Sequence, residues 1–268
     1  MSVPAGCDRL RDMILVSNDD GIFAPGLWEL AKELKAIEEV TAVAPDREQS
    51  ATGTSVTLRN PLRVRKVTPI IEGVATYGVE GTPGDSVILG LEKLAPDAGM
   101  VVSGINSGQN LGDDVLISGT VGAALQGYLR NLPSIAISVG TIDTADLKTA
   151  ARLTALLVRR INSGALPRDI FLNVNLPDAE LDRVKGIRVS RLAHKTHIDS
   201  VKEGNDGRRD YYWLVRRKLD LVSMDDTDIW AVEHGYISIT ALHTALFRRP
   251  APEMGEAFCK ELFAELKA

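Results

Sequence analysis

Residues 13–34 read MILVSNDDGIFAPGLWELAKEL, and this stretch decides the fold. An apolar run from Met13 to Ser17 ends in a polar turn. Behind Pro25 the apolar positions Leu27, Leu30, Ala31 and Leu34 then recur with the period of a helix. The segment is a strand, a loop carrying two adjacent carboxylates, and a helix.

Working outward, the pattern repeats. Val40 to Ala44 is the next buried-strand candidate, and Pro45 stops it before a polar loop that reaches Gly53. Thr54–Leu58 and Leu62–Val67 alternate in period two, which predicts a hairpin. Thr82, Pro83 and Asp85 supply a capping hydroxyl, a first-turn proline and a carboxylate at the positive end of the dipole. A helix is therefore predicted to start there and to continue through Val87–Leu94. Strands are predicted at Met100–Ser103, Ser134–Val139 and Ile170–Asn175, with helices over Thr120–Leu129 and Ala145–Ile161.

Such alternation predicts an α/β fold: a mostly parallel, doubly wound sheet with helices on both faces. From about Gly186 the pattern loosens into short strands around Tyr211, Tyr212 and Trp213 and around Ile237, Ser238 and Ile239. Residues 1–185 are accordingly read as the core. Residues 186–268 are read as a β-rich extension that partly returns to the core and serves oligomerisation.

Composition narrows the class. The 268 residues are 44% hydrophobic, enough for one large core, and 31 basic against 36 acidic residues give a net charge of −5 with no block of like charge. A nucleic-acid backbone is a poor partner for such a surface. The two cysteines, Cys7 and Cys259, form no CxxC pair and fit a reducing cytosol. No apolar stretch approaches the roughly 18–20 residues that span a bilayer, and the N-terminus lacks the apolar core of a leader; a cytoplasmic protein without membrane partners is expected.

Ligands of open parallel sheets bind beyond the carboxyl ends of the strands, so the loops after the strands matter most. The first carries Ser17, Asn18, Asp19, Asp20 and Gly21. Two adjacent carboxylates repel one another unless a cation neutralises them, and hard oxygen ligands suit Mg²⁺ or Mn²⁺. The next loop offers Asp46, Gln49, Ser50 and Thr52; a later one runs from Ser103 to Asn110, with Gly104, Gly108 and Gly112 allowing close backbone approach to a ligand. Ser118, Gly119 and Thr120 open a helix, where free N–H groups and the dipole attract phosphate, although an ordinary N-cap explains the same residues.

Familiar alternatives are missing. No GxGxxG follows the first strand, and neither GxxxxGK[ST] nor GxSxG occurs. An aspartyl-phosphate phosphatase of the haloacid-dehalogenase kind needs a nucleophilic aspartate where this chain has Asn18. His194 and His197 lack a third zinc ligand nearby, and the pair Asp113–Asp114 inside the glycine-rich loop has no assigned part.

Assembled in order, these motifs resemble the SurE family of survival-protein nucleotidases. The resemblance rests on ILVSNDDGI at 14–22, VAPDREQSATGTS at 43–55, GTPGDSV at 81–87, VVSGINSGQNLGDDVLISGTVGAA at 101–124 and GYISIT at 235–240. It implies a Rossmann-like three-layer core with a C-terminal extension exchanged between subunits, as a homodimer or homotetramer. The implied activity is a 5′-nucleotidase, a phosphomonoesterase that hydrolyses nucleoside monophosphates; some members also take 3′-nucleotides or short polyphosphate.

Carried over motif by motif, the ligands of one divalent ion per subunit are Asp19, Asp20, Ser50 and Asn106. Asp19 and Asp20 are the expected catalytic residues. Asn18, Gly104, Asn106, Ser118, Gly119 and Thr120 are the expected contacts of the phosphoryl group. Departures from the family pattern are Ala51, the run Gly84-Asp85-Ser86, and Ile117 in place of a tyrosine, the last of which bears on substrate preference. A rival reading of another class is a nucleotide-binding sensor without catalysis.

Overall fold

The computed structural model describes residues 13–141, 144–194, 197–218, 224–244 and 256–267. Cys7 and the side chains of Cys259 and His197 lie outside the described residues. Strand β1 (Met13–Ser17) is buried on both faces, with Ile14 and Val16 packing into one cluster and Leu15 into another. A continuous apolar run is the mark of such a central parallel strand.

Around it lie β2 (Glu39–Pro45), β3 (Val64–Lys66), β4 (Ala75–Val79), β5 (Ala98–Ser107), β6 (Ser134–Val139), β7 (Phe171–Asn175), β8 (Ile187–Ser190) and β11 (Ile237–Ala241). The nine strands are ordered β3-β4-β2-β1-β5-β6-β7-β11-β8. Pairing is parallel from β4 across to β7, whereas β3 and β11 run antiparallel to β4 and β7. The chain winds from β1 towards β4 and then, starting at β5, in the opposite direction. The crevice between the ends of β1 and β5 is the topological switch point.

Helices α1 (Pro25–Lys35) and α4 (Thr144–Asn162) cover one face, and their Leu27, Leu30, Leu34, Val158 and Ile161 share a cluster with Ile14 and Val16. Gly26 lets α1 come close to the sheet, because a Cβ there would sit 2.2 Å from the Ile105 carbonyl oxygen. The other face carries α2 (Pro83–Leu89), continued by a π-helical turn to Leu94, and α3 (Gly119–Tyr128). At the start of α2, Thr82 and Asp85 form the reciprocal capping box, as the Thr-Pro-x-Asp pattern predicts. Among the described residues no helix is long and apolar enough to cross a membrane.

One expectation is corrected. Thr54–Leu58 is not a strand: the Thr57 N–H and hydroxyl donate to the Asp85 carboxylate at 2.8 and 2.7 Å, and Ser55 accepts from the Thr82 hydroxyl. Those polar groups serve the head of α2 and not a strand partner. The hairpin is formed instead by β3 and β4. Beyond residue 186, β8 and β11 extend the main sheet, with α5 (Asp228–Glu233) beside them, while β9 (His197–Asn205) and β10 (Asp210–Lys218) make a separate two-stranded arm. A last helix, α6, spans Glu256–Leu266.

Candidate metal and phosphate site

The acidic loop sits at the switch point. Gly21, at φ +98°, turns the chain, and Asn18 closes the turn by accepting from the Gly21 N–H at 3.1 Å and donating to its carbonyl at 3.0 Å. Asn18 is wholly buried. Its amide is used to shape the loop.

Asp19 is 4% exposed and accepts a hydrogen bond from the Thr120 hydroxyl on α3. Burial pushes its carboxyl above the ordinary value; the Thr120 hydroxyl and amide oppose that rise. Asp20 is half-buried, and burial together with the neighbouring Asp19 pushes its carboxyl up to about 6. The Ser107 N–H, at 3.4 Å, bonds to it only weakly. Two carboxylates raised in this way are an acidic centre that the protein alone leaves uncompensated.

Neutral donors stand next to it. A cavity of about 270 Å³ is lined by Asp19, Ser50, Asn106, Gln109, Asn110 and Ser118, among others. Ser50 donates to Glu48 Oε1 at 2.7 Å, which leaves its oxygen lone pairs for a ligand. Asn106 donates its Nδ2 to the Gly108 carbonyl at 2.7 Å, so the amide oxygen is the end left to face a ligand. Among the described residues no group of three or more His, Cys, Asp and Glu could hold a metal. Asp19, Asp20, Ser50 and Asn106 fit a hard cation that keeps several water or substrate ligands, and not a zinc cage.

The remaining phosphate candidates divide. Ser118 caps α3, its hydroxyl accepting from the Val121 N–H at 3.2 Å, and it lines the cavity. Gly119 is glycine because of Asp19: a Cβ there would lie 2.7 Å from the Asp19 Cβ and 2.9 Å from its Oδ2. Thr120 is fully buried with its hydroxyl committed to Asp19, so its side chain positions the carboxylate and is not free for a phosphate. Gly104, at φ +134°, is required by β6, since a Cβ would fall 2.3 Å from the Ile137 carbonyl oxygen. It is buried within β5.

The sequence reading missed a group of polar residues behind the cavity. Asn110 donates its N–H to Asn175 Oδ1 at 2.8 Å and its side chain to Ser138 Oγ at 2.9 Å, while Asn173 and Asn175 donate to its carbonyl at 2.8 and 3.1 Å. Polar residues inside strands otherwise read as buried were the available signal. Asp114 and Ile117 also line the cavity, so the departure from tyrosine at 117 lies at its wall.

Comparison with known proteins agrees with this architecture. Residues 14–199 match the family model described as survival protein SurE. The chain is 59% identical over 247 residues, 91% of its length and 93% of the relative's, to the 5′-nucleotidase SurE of Dehalococcoides mccartyi (strain CBDB1). It is 44% identical over 232 residues, 86% of its length and 90% of the relative's, to the 5′-nucleotidase SurE of Legionella pneumophila (strain Lens). A crystal structure of the SurE protein from Aquifex aeolicus superimposes with a TM-score of 0.74 at 33% identity, covering 96% of this chain and 100% of that one.

Proposed function

The chain belongs to the SurE family, and from that premise we propose that it is a 5′-nucleotidase, hydrolysing nucleoside 5′-monophosphates to nucleoside and phosphate at the acidic centre beyond β1. The observation that carries the reading is Asp19 and Asp20 side by side at the switch point, with both carboxyls raised. Paired carboxylates in that state, with Ser50 and Asn106 on the adjoining cavity, suit one Mg²⁺ or Mn²⁺ ion per subunit. Such an ion, when bound, polarises a phosphoryl oxygen and acidifies a water.

The chain's own residues supply the rest. Asp19, held by Thr120, keeps its carboxylate aimed at the cavity. Asp20, less buried and only weakly bonded, is the better placed to take the proton of the attacking water. Ser118 and the head of α3 present N–H groups and the positive end of the helix dipole to the phosphoryl oxygens. Asn106, fixed by Gly108, adds a polar contact opposite. These groups act by preorganised electrostatics and need no covalent intermediate.

The extension, we infer, serves a homodimer or homotetramer. Tyr212, Trp213 and Leu214 on β10 are 62%, 64% and 83% exposed, and Phe258, Leu262, Phe263 and Leu266 are exposed on α6. Apolar surface of this size is ordinarily covered by a partner.

The decisive experiment is phosphate release from a panel of nucleoside 5′- and 3′-monophosphates, with Mg²⁺, Mn²⁺ or chelator. Wild type is expected to release phosphate only with metal, and Asp19→Asn to lose at least a hundredfold in kcat while remaining folded by circular dichroism. Nucleotide binding without release from any substrate would point to a sensor, and full activity of Asp19→Asn would remove this aspartate from the mechanism.

A further inference from the structure

The arm leaves the body after residue 194 and returns by residue 224, and its two feet are bound together. The Arg191 N–H donates to the Asp226 carbonyl at 3.0 Å, and the Asp228 N–H donates to the Arg191 carbonyl at 2.9 Å. Arg191 and Thr227 also form an isolated parallel bridge. Asp228, which begins α5, is wholly buried.

Its carboxylate gathers three backbone N–H groups. Oδ1 accepts from Ala193 and from Ile229, each at 2.9 Å, and Oδ2 accepts from Gly112 at 2.7 Å. Ala193 belongs to the outgoing foot and Asp228 to the returning one. Gly112 lies 116 residues earlier, in the loop beside the catalytic cavity. A buried carboxylate is costly, and these three charge-assisted hydrogen bonds oppose that cost, although burial still holds the carboxyl above its ordinary value.

That loop needs a tether. Gly108, Gln109, Asn110 and Asp114 line the cavity. Its first half is held by Asn110 on Ser138, Asn173 and Asn175, and by Gln109 Nε2 on the Leu176 carbonyl at 2.8 Å. Past Asn110 the chain turns through Gly112, at φ +52°, and then enters α3 by way of the Asp114 carbonyl, which accepts from the Ile117 and Ser118 N–H groups at 3.1 and 3.0 Å. Between those two anchors the bond from Gly112 to Asp228 fastens the backbone, next to the packing of Val115 and the bond from the Gly53 N–H to the Ile117 carbonyl at 2.9 Å.

We propose that Asp228 is a positioning residue for hydrolysis: by tying both feet of the arm to the Gly112 amide, it fixes the 108–118 segment against the substrate cavity. The inference rests on the nucleotidase reading. It explains why a carboxylate stands there, because an asparagine would turn an N–H₂ group towards one of the converging N–H donors and leave it unmet. Asp228 touches no reacting atom, so its influence runs through the loop.

The test compares Asp228→Asn and Asp228→Ser with Thr227→Val in the full chain. Thr227 caps α5, accepting from the Trp230 N–H at 3.4 Å, without touching Gly112. Both Asp228 variants are expected to raise KM for the nucleotide at least tenfold, to change kcat less than threefold, and to leave Mn²⁺ affinity by calorimetry unchanged. Hydrogen exchange in peptides spanning 108–118 should accelerate in these variants alone, while Thr227→Val lowers Tm with KM unaltered.

A lowered Tm with wild-type KM and wild-type exchange in the Asp228 variants would overturn the proposal. So would rapid exchange of the Gly112 amide in the wild type, which requires no variant to fold. Wild type inert towards every nucleotide would fail the nucleotidase reading instead, and the exchange result would still decide the tether.

Discussion

Asp20 carries much of the electrostatic cost of the site. Its carboxyl is raised from the ordinary 3.8 to about 6, first by burial and then by Asp19. A raised acid is penalised in its charged form, so the folded state is weakened above about pH 6. That penalty is relieved as pH falls through 6 towards 4, where the folded state binds a proton that the unfolded chain does not. Asp20→Asn should therefore raise the Tm of the chelator-treated protein at pH 7.5 and raise it less at pH 5. Adding Mn²⁺ should stabilise wild type more than the variant. Thermal melts at the two pH values check this, and a gain independent of pH would show that the carboxylate is not penalised.

At the scale of the element, the head of α3 is fitted to Asp19 with no spare room. Gly119→Ala would place a Cβ 2.7 Å from the Asp19 Cβ, and helix and carboxylate must then part. Overpacking of this kind costs about 1–3 kcal/mol, and the displaced Asp19 and Thr120 should cost at least tenfold in kcat/KM. Steady-state assays with a urea melt separate the two effects; wild-type kcat/KM in a folded Gly119→Ala protein would refute the fit.

The same helix shows what the sequence could reveal. Its start was legible from Ser118, Gly119 and Thr120, because capping is local chemistry written in adjacent residues. That Gly119 and Thr120 answer to Asp19 was not, because the contact spans 101 residues and depends on how β1 and α3 meet. The strands buried on both faces, β1 and β6, were read to the residue from their predominantly apolar runs, interrupted in β6 by Ser138. Thr54–Leu58 was misread because alternation also arises where hydroxyls bond to a helix head. Asp228 was missed for the reason Thr120 was: nothing local to the Thr-Asp pair points to Gly112.

Across the whole molecule, the candidate site and the arm draw on different stretches of the chain. The cavity is lined by residues from 19 to 118, whereas the arm is built from 197 to 218. In a two-stranded ribbon, successive side chains point to opposite faces, so Tyr212 and Leu214 share one face of β10 while Tyr211 and Trp213 share the other. Both faces thus carry exposed apolar groups, and a ribbon of two strands has little stability of its own in water. A second copy of the chain would cover both. Trp213→Glu combined with Leu214→Glu puts a charge on each face, where burial against a partner would leave it unpaired. Light scattering behind size exclusion is expected to show wild type at a multiple of 29.0 kDa and the double variant at or near a single chain mass. Phosphate release per chain should persist in the variant, since neither residue lines the cavity and the Asp228 tether lies within one chain. A double variant that keeps the wild-type mass would move the interface away from the arm and leave α6 as the surface that a partner covers.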